Sequence, residues 1–299
     1  MTGPYGRRSY VESLLATDGA ILPLWGGYVM RRVMPDGDGM DAASAYPMGG
    51  FAPLSDVAEG LDRLRAEGAV SLSLVADPLN TPDPAVLGAV ADHHRRLKTH
   101  YVIDMEAGPF APNKHHRAEI RRAQRRVTVD RLSLSEVMDD WRRLYGNLID
   151  RHDIRESARL TDTHFAALAA DPQALVLAAR QSDGSDGIVA MSIWLSDGDV
   201  AHNHLGASGD AGYRSGAGYA LYAAAVEALS SCRIIDLGGM PGLTDDPSHG
   251  LARFKRGFAN GERATWFSGF VLDRDRYDAA VRIAGGAPGV GFFPAYRAR

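Results

Sequence analysis

The second half of the chain carries the pattern that most restricts its fold: two strands, a glycine-rich turn, a helix and a further strand in direct succession. Gly187 to Leu195 and Asp199 to Leu205 are joined by the turn Ser196 to Gly198, which predicts a β-hairpin. The segment GASGDAGYRSGAG follows, and the alanine-rich stretch Tyr219 to Leu229 predicts a helix. Arg233 to Leu237 predicts a strand that ends at two glycines.

The first half of the chain alternates helices and strands, so the whole sequence predicts a mixed α/β (α+β) fold. Helices are predicted at Ser55 to Ala66, where Ser55 is the expected cap, at Pro84 to Leu97 and at Lys114 to Arg126. Strands are predicted in AVSLSLVADP, in THYVIDM and in VTVDRL. The third helix is therefore followed directly by a strand.

A domain boundary is predicted between residues 132 and 133. Ser133 and Glu136 have the spacing of a capping box ahead of a long amphipathic helix, and no linker rich in proline or glycine precedes them. The 299 residues suit two domains of about 100 to 150 residues each, here 1–132 and 133–299. The second domain is predicted to end with a strand at Arg263 to Leu272 and a helix at Asp275 to Ile283. Packing of this helix back on the first domain is an alternative.

Charge and cysteine content exclude several classes of protein. The net charge of −4 argues against a surface built to wrap DNA or to lie on an anionic membrane. The single cysteine, Cys232, excludes an internal disulfide and zinc sites of several thiolates, and no metal site is expected. No run of 18 apolar residues occurs, so we expect no membrane span and a cytoplasmic location.

One basic segment stands out against the acidic average. Lys114 to Arg126 holds six Lys or Arg residues and one Glu. Lys114, Arg117 and Arg121 either form a solvated helix face or bind a phosphate or carboxylate of a substrate. Both interpretations stay open at this stage.

The glycine-rich turn is a candidate anion site. A helix N-terminus presents unpaired N–H groups, and glycines let a phosphate approach them closely. In Y-R-S-G-A-G, Arg214, Gly216 and Gly218 resemble the Q/R-x-x-G-x-G/A pattern with which GNAT acetyltransferases bind the pyrophosphate of coenzyme A. The arginine is two residues before the first glycine instead of three, and a flexible loop with glycine caps is the alternative.

Several segments together resemble the Fem family of aminoacyl-tRNA-dependent peptidyltransferases, the FemAB-like branch of the GNAT superfamily. They are AYPMGGF, KHHRAEIRRAQRRV, AHNHLGAS, IIDLGGM and GLARFKRGF, and they span Tyr46 to Leu272 in the family's order. The resemblance implies two tandem GNAT-like domains with a cleft between them, and an amino acid carried on tRNA as the transferred group. RFKRGF is its most specific part.

The resemblance also implies roles for single residues. Lys255 corresponds to the position that stabilises the tetrahedral oxyanion, and Phe254 lines the same site. Tyr46 and Tyr219 are expected to contact substrate.

The polar residues of the two predicted strands add further candidates. His202 and His204 are two apart on a predicted strand, so both face the same way. His204 is the candidate general base and His202 a candidate substrate ligand, although packing or a structural hydrogen bond explains either equally well. Asp236, near the end of its strand, is a candidate to orient the amine, with a strand-end hydrogen bond as the alternative.

Three functions are compatible with these observations. The first is an N-acyltransferase that forms an amide between an aminoacyl group from tRNA and an amine of a soluble natural-product or cell-wall precursor. The second is an acyl-CoA-dependent N-acetyltransferase, and the third is a catalytically silent GNAT-like binding protein. No bound cofactor is expected, because aminoacyl-tRNA or acyl-CoA is a co-substrate. No long heptad segment of the kind found in Fem proteins with a coiled-coil arm is visible, which favours a compact enzyme.

Overall fold

The computed structural model describes residues 2–15, 19–52, 56–79, 83–184, 187–242, 245–285 and 291–298. Contacts between residues divide the chain into two compact units: Met1–Lys98 with Ala264–Arg299, and Thr99–Arg263. We call them the first and the second unit. The domain boundary expected between residues 132 and 133 stays a prediction, and the contact-based division falls at other points of the chain.

Strands and helices alternate along the described residues, as the sequence predicted for a mixed α/β fold. The strands are β1 (Ala20–Leu24), β2 (Gly27–Val33), β3 (Met40–Ala43), β4 (Ala69–Val75), β5 (His93–Asp104), β6 (Val127–Leu132), β7 (Ala174–Gln181), β8 (Ile188–Asp197), β9 (Val200–Ser208), β10 (Ile234–Asp236) and β11 (Gly261–Val271). The α-helices are α1 (Arg8–Ser13), α2 (Val57–Ala66), α3 (Pro84–Val90), α4 (Lys114–Gln124), α5 (Met138–His152), α6 (Asp162–Ala170), α7 (Asp210–Ser215), α8 (Ala217–Ala228), α9 (Gly250–Phe258) and α10 (Arg274–Ile283).

The first unit contains a sheet in the order β1, β2, β3, β4 and β11, in which β3 and β4 are parallel and the other neighbours antiparallel. Helix α2 begins at Asp56, whose carboxylate accepts hydrogen bonds from two backbone amides. Ser55, the expected cap, lies outside the described residues. Helix α10 belongs to this unit and buries Tyr277 and Val281.

A buried carboxylate organises the C-terminal residues of the first unit. Asp41 has no exposed surface and accepts hydrogen bonds from Arg32 Nε at 2.8 Å, Arg297 Nε at 2.6 Å and Tyr296 Oη at 3.0 Å. Burial of a charge is tolerated where several donors satisfy it, as they do here. The segment that carries Tyr296 and Arg297 is thereby held against β3.

One helix prediction was too long. The sequence placed His93 and His94 on a helix from Pro84 to Leu97, but α3 ends at Val90 and β5 begins at His93. The His94 ring stacks on Trp266 of β11, with 4.8 Å between ring centres, and its Nδ1 is 3.0 Å from Ser268 Oγ. Partners remote in sequence therefore decide the conformation of this segment.

The second unit contains a sheet in the order β5, β10, β9, β8, β7 and β6. The predicted hairpin is confirmed: β8 and β9 are antiparallel, and Gly198 in the turn has a φ of 62°. Strands β9 and β10 are parallel, whereas β10 and β5 are antiparallel. Helices α4 and α8 pack on the core that this sheet forms.

The capping-box pattern is present in modified form. The backbone N–H of Ser133 donates to Glu136 Oε2 at 3.3 Å, but a turn intervenes and α5 begins only at Met138. The helix buries Trp141, Leu144 and Tyr145, as the amphipathic pattern predicted.

The glycine-rich turn joins two helices and is not a flexible loop. Gly216 has a φ of 73° and serves both as the last cap of α7 and as the first cap of α8. This left-handed conformation favours glycine, which explains its presence at the junction. Gly218 lies within the first turn of α8, with its Cα beside the ring of Phe254.

Of the helices in the described residues, none combines the length and the apolar character that crossing a bilayer requires.

Candidate functional site

Asp236, the last residue of β10, is the centre of a buried polar network in the second unit. Its Oδ2 lies 2.7 Å from His100 Nδ1 and 3.3 Å from His202 Nδ1, and its Oδ1 accepts a hydrogen bond from the Gly238 amide at 2.6 Å. Asp236 and His202 are each 1% exposed, and His100 is 7% exposed. Three segments therefore converge on one carboxylate.

The electrostatics of the network favour a charged Asp236. Burial alone would raise the pKa of the carboxyl, but the two imidazoles, through charge and hydrogen bonds, lower it below its ordinary value. The carboxylate can hold each imidazole with Nδ1–H pointing at Oδ2. That arrangement fixes the tautomer of His100 and His202.

Sequence reasoning found Asp236 and His202 but missed His100. His100 lies in the predicted strand THYVIDM, where no motif marks it. Its significance follows from the antiparallel register of β5 and β10, in which Asp236 lies opposite Val102. The only available signal was a histidine directly before the short run of residues 101–103.

Lys255 lies beside this network with its ammonium group fixed. Its Nζ donates to the carbonyl oxygen of Gly239 at 2.7 Å, and the residue is 7% exposed. Gly238 has a φ of 79°, and a Cβ at that position would lie 3.1 Å from Nζ. The two glycines after β10 thus give the lysine a close approach to the backbone.

RFKRGF belongs to helix α9, and not to a strand at the edge of a sheet. His249 caps this helix through a hydrogen bond from the Leu251 amide at 3.2 Å, and the helix runs to Phe258. Arg256 lies next to Lys255 and donates to Tyr101 Oη at 3.1 Å. Residues two apart share one face of a strand but lie on different faces of a helix. The helix can therefore bury Lys255 while it leaves Arg253 exposed.

Helix α9 is held in place by an imidazole of α4. His116 is 4% exposed, and its Nε2 lies 2.8 Å from the carbonyl oxygen of Phe254. Burial lowers the pKa of His116, so the ring is neutral and its Nε2–H donates this bond. A side chain on Gly257 would overlap the His116 ring. The close packing of the two helices therefore depends on this glycine.

Aromatic rings surround Phe254. Tyr219 and Tyr222 of α8 lie 5.0 and 4.8 Å from it between ring centres, in edge-to-face arrangements, and Phe258 lies at 5.2 Å. Phe254 and Tyr219 are only partly buried. Of the predicted residues, the structure brings together Phe254 of α9 with Tyr219 and Gly218 of α8. Phe254 directly precedes Lys255 on α9.

His204 interacts with a different partner from His202. A register shift between Ile193 and Trp194 interrupts the ladder opposite His204. The Nε2 atoms of His204 and of His164 on α6 are 3.2 Å apart, so one ring donates and the other accepts. Burial, and then His164 and His202, lower the pKa of His204 well below its ordinary value, which weakens it as a base. Its assignment as general base stays a prediction.

The His164 imidazole should make stability depend on pH. Burial lowers its pKa to about 4, whereas the unfolded chain takes up this proton near pH 6.5. The neutral ring therefore makes its full contribution to the free energy of unfolding above pH 6.5. Between pH 6.5 and 4 this contribution is lost, and the free energy of unfolding falls by about 3 kcal/mol. Denaturant unfolding at pH 7 and at pH 4.5 should show this fall.

A variant isolates the contribution of His164. His164→Phe keeps a ring in place but removes the titration, so its loss of stability between the two pH values should be clearly smaller. The exposed His152 provides the control, since His152→Gln should leave the fall unchanged. Equal falls in wild type and His164→Phe would contradict the assignment.

Five other predicted substrate ligands have exposed side chains, whereas Asp236 and Lys255 are buried. Lys114, Arg117 and Arg121 are exposed on α4, and Arg117 donates to the carbonyl of Pro112 at 2.7 Å. Arg214 is exposed at the end of α7. Tyr46 belongs to the first unit and is 59% exposed. Their roles stay predictions.

No group of three or more His, Cys, Asp or Glu side chains in the described part of the chain has a geometry that would hold a metal ion. The pair His164 and His204 has two nitrogens at a suitable separation, but the described residues supply no third ligand of these types.

Comparison with known families gives a match in the second unit. Residues 114–256 match the family model described as Acetyltransferase (GNAT) domain. The match includes α4, the glycine-rich junction, Asp236 and Lys255, and it leaves out His100. No curated protein matches the chain.

Three solved structures are similar over most of their length and of this chain. FemX has a TM-score of 0.66 at 12% identity, covering 92% of this chain and 94% of FemX. The C-terminal domain of a putative lysylphosphatidylglycerol synthetase from Agrobacterium fabrum has a TM-score of 0.60 at 16% identity, with coverage of 94% and 93%. L-PGS from Bacillus licheniformis has a TM-score of 0.59 at 12% identity, with coverage of 92% and 90%. At these identities the similarity establishes the fold, which is GNAT-like.

Proposed function

We propose that this protein is a GNAT-fold acyltransferase that transfers an aminoacyl group from tRNA to an amine and so forms an amide. One observation carries the proposal: the buried Lys255 ammonium is fixed by Gly239 beside the Asp236 network, at the carboxyl end of β10. Ligand sites in α/β sheets gather at such strand ends. The family match and the resemblance of RFKRGF to Fem transferases agree with this location.

The chemistry requires a fixed positive charge. When the amine attacks the ester carbonyl, a C–N bond forms and negative charge grows on the carbonyl oxygen. When the intermediate collapses, the C–O bond to the ribose breaks, and that oxygen takes up a proton. A cation fixed in a site of low dielectric constant stabilises the oxyanion without reorganisation. Lys255 performs this role in the proposal.

The proton of the attacking amine needs an acceptor. His100 is an imidazole oriented by a buried carboxylate, the arrangement that activates bases in many acyl-transfer enzymes. We assign it as a second candidate base besides His204. Asp236 would act through His100, as a positioning residue.

An acyl-CoA donor is the second candidate. The observation that favours it is the family match itself, which is to an acetyltransferase domain and includes the glycine-rich junction at Gly216. The aminoacyl donor is favoured by the similarity to FemX over 92% of the chain, together with the family motifs.

A donor competition decides between them. Purified protein is incubated with a panel of amines and either tRNA charged with labelled amino acids or labelled acetyl-coenzyme A, and amide products are detected by mass spectrometry. We expect amide from the charged tRNA, at a rate that Lys255→Ala lowers strongly. Product from acetyl-coenzyme A alone would establish the second candidate. A folded protein that releases the label from neither donor would contradict both.

A further inference from the structure

The side-chain amide of Asn203, on β9, lies against helix α8 in the second unit. Its Oδ1 accepts a hydrogen bond from Tyr222 Oη at 2.9 Å. Its Nδ2 is buried and has no hydrogen-bond partner among the described residues. Buried side-chain amides in folded proteins almost always have partners on both ends, so an N–H donor of this kind is suited to a bound group.

The Tyr222 hydroxyl orients this amide. Burial, and then the charge of Asp236, raises the pKa of Tyr222, so the hydroxyl keeps its proton and donates it to Asn203 Oδ1. The Tyr222 ring is itself held between Trp194 and Phe254, with 5.1 and 4.8 Å between ring centres. In this arrangement the NH₂ group is the end of the side chain that remains for a ligand.

Asn203 lies where β9 and β10 separate. The ladder between these strands ends at the pair His202 and Asp236. The chain after β10 then bonds to Tyr101 of β5, while β9 runs on to Ser208. The register shift between β8 and β9 falls at the same level, and such irregularities re-aim side chains beside binding sites.

Lys255 is fixed at the same end of this strand pair. Its Nζ donates to Gly239, one of the two glycines that follow β10. Neighbouring strands lie about 4.8 Å apart, so Asn203 and the lysine ammonium come to one region of the sheet. Tyr222 also joins them, because it bonds to the Asn203 amide and packs on Phe254, the residue before Lys255.

We propose that Asn203 donates a hydrogen bond from Nδ2 to the carbonyl oxygen of the transferred acyl group, as a second oxyanion donor beside Lys255. The inference rests on the proposed function, since it concerns the acyl group of that reaction. As the C–N bond forms, the electron pair of the carbonyl π bond moves to oxygen, and it returns when the bond to the donor breaks. Asn203 keeps its protons throughout and stabilises the oxyanion as a fixed neutral donor.

Steady-state kinetics test this role. Asn203→Leu keeps a side chain of similar size and removes the donor, so it should lower kcat about a hundred-fold and change KM little. Asn147→Leu makes the same exchange at an exposed position of α5 and should leave kcat unchanged. Thermal unfolding checks that each variant is folded.

A double variant separates catalysis from a structural role. If Asn203 serves only to accept the Tyr222 hydroxyl, Asn203→Leu combined with Tyr222→Phe removes both partners, and turnover should return to the wild-type rate. If Asn203 binds the acyl carbonyl, the double variant stays as slow as Asn203→Leu. Tyr222→Phe alone keeps the amide donor and should lose less turnover than Asn203→Leu.

A binding measurement tests the same contact without turnover. The chain has five asparagines, so a protein labelled only at asparagine nitrogen gives few side-chain amide signals in NMR spectra, and Asn203→Leu identifies the one from Asn203. The probes are an aminoacyl-adenosine analogue with an amide in place of the ester and a coenzyme A analogue with a ketone in place of the thioester. We expect the Asn203 amide protons to shift downfield with the probe that matches the donor.

The outcomes distinguish this inference from the proposed function. Amide product with wild-type kcat in Asn203→Leu, restored turnover in the double variant, or an unshifted Asn203 signal at saturation with either probe would overturn the inference alone. Absence of binding by both probes at millimolar concentration would also overturn it. A shifted Asn203 signal without amide product from either donor would contradict the proposed reaction and support the recognition of a carbonyl by Asn203.

Discussion

Lys255→Ala is expected to lower turnover about a hundred-fold or more, the scale on which one oxyanion donor acts in acyl transfer. The physical reason is that the ammonium stabilises charge that exists only in the transition state, so kcat falls while KM changes little. Steady-state kinetics with the donor identified by the competition assay measure both constants. A folded Lys255→Ala protein with near wild-type turnover would show that the oxyanion assignment is wrong.

Burial of Lys255 gives this residue a part in stability as well as in the reaction. The residue is 7% exposed and its Nζ satisfies the Gly239 carbonyl. Its removal leaves that carbonyl without this donor, at a cost of about 1 to 3 kcal/mol.

Two further variants of Lys255 separate catalysis from folding. Lys255→Met keeps the volume and removes the charge, and it should lose turnover as Lys255→Ala does. Lys255→Arg should not restore the full rate, because the guanidinium is larger, planar and more diffuse than a compact ammonium. Full turnover in Lys255→Met would show that the charge of Lys255 has no role in the reaction.

Asp236→Asn is expected to destabilise the protein by about 3 to 5 kcal/mol at neutral pH, as the loss of one partner from a buried charged network usually does. Both imidazoles share Oδ2 and the Gly238 amide donates to Oδ1, so the NH₂ group of an asparagine opposes either the two imidazoles or the Gly238 N–H. Denaturant unfolding measures the loss. Asp150→Asn, at an exposed position, provides the control and should change stability by less than about 0.5 kcal/mol.

The pH dependence of this difference has a definite sign. The folded-state pKa of Asp236 lies below its unfolded value near 3.9, so the carboxylate stabilises the fold above about pH 4. That contribution is lost as the pH falls further, and the difference between wild type and Asp236→Asn should therefore shrink in acid. A loss below about 1 kcal/mol at pH 7 would contradict the network as a source of stability.

Activity distinguishes a positioning role of Asp236 from a purely structural one. If Asp236 orients His100 as the base, the pH profile of kcat should shift in Asp236→Asn under conditions where the variant is folded. An unchanged profile with reduced stability would leave Asp236 as a structural residue.

Local patterns in the sequence predicted the elements whose residues interact with near neighbours. The hairpin of β8 and β9, helix α8 and helix α4 were predicted correctly because turn glycines, alanine content and helical spacing act within a few residues. The resemblance of whole segments identified Lys255. The nine residues of α9 carry no such local signal, since glycines stand at both Gly250 and Gly257.

The surroundings of Lys255 and Asp236 depend on the tertiary structure alone. Helix α9 forms because His249 caps it and His116 of α4 holds the Phe254 carbonyl, a contact across 138 residues. His100 and Asp236 are 136 residues apart and meet through the pairing of β5 with β10. The sequence by itself determined which residues are available, their local conformations and the fold class. The burial of Lys255, and the two imidazoles that keep the buried Asp236 charged, arise only when distant segments come together and exclude water.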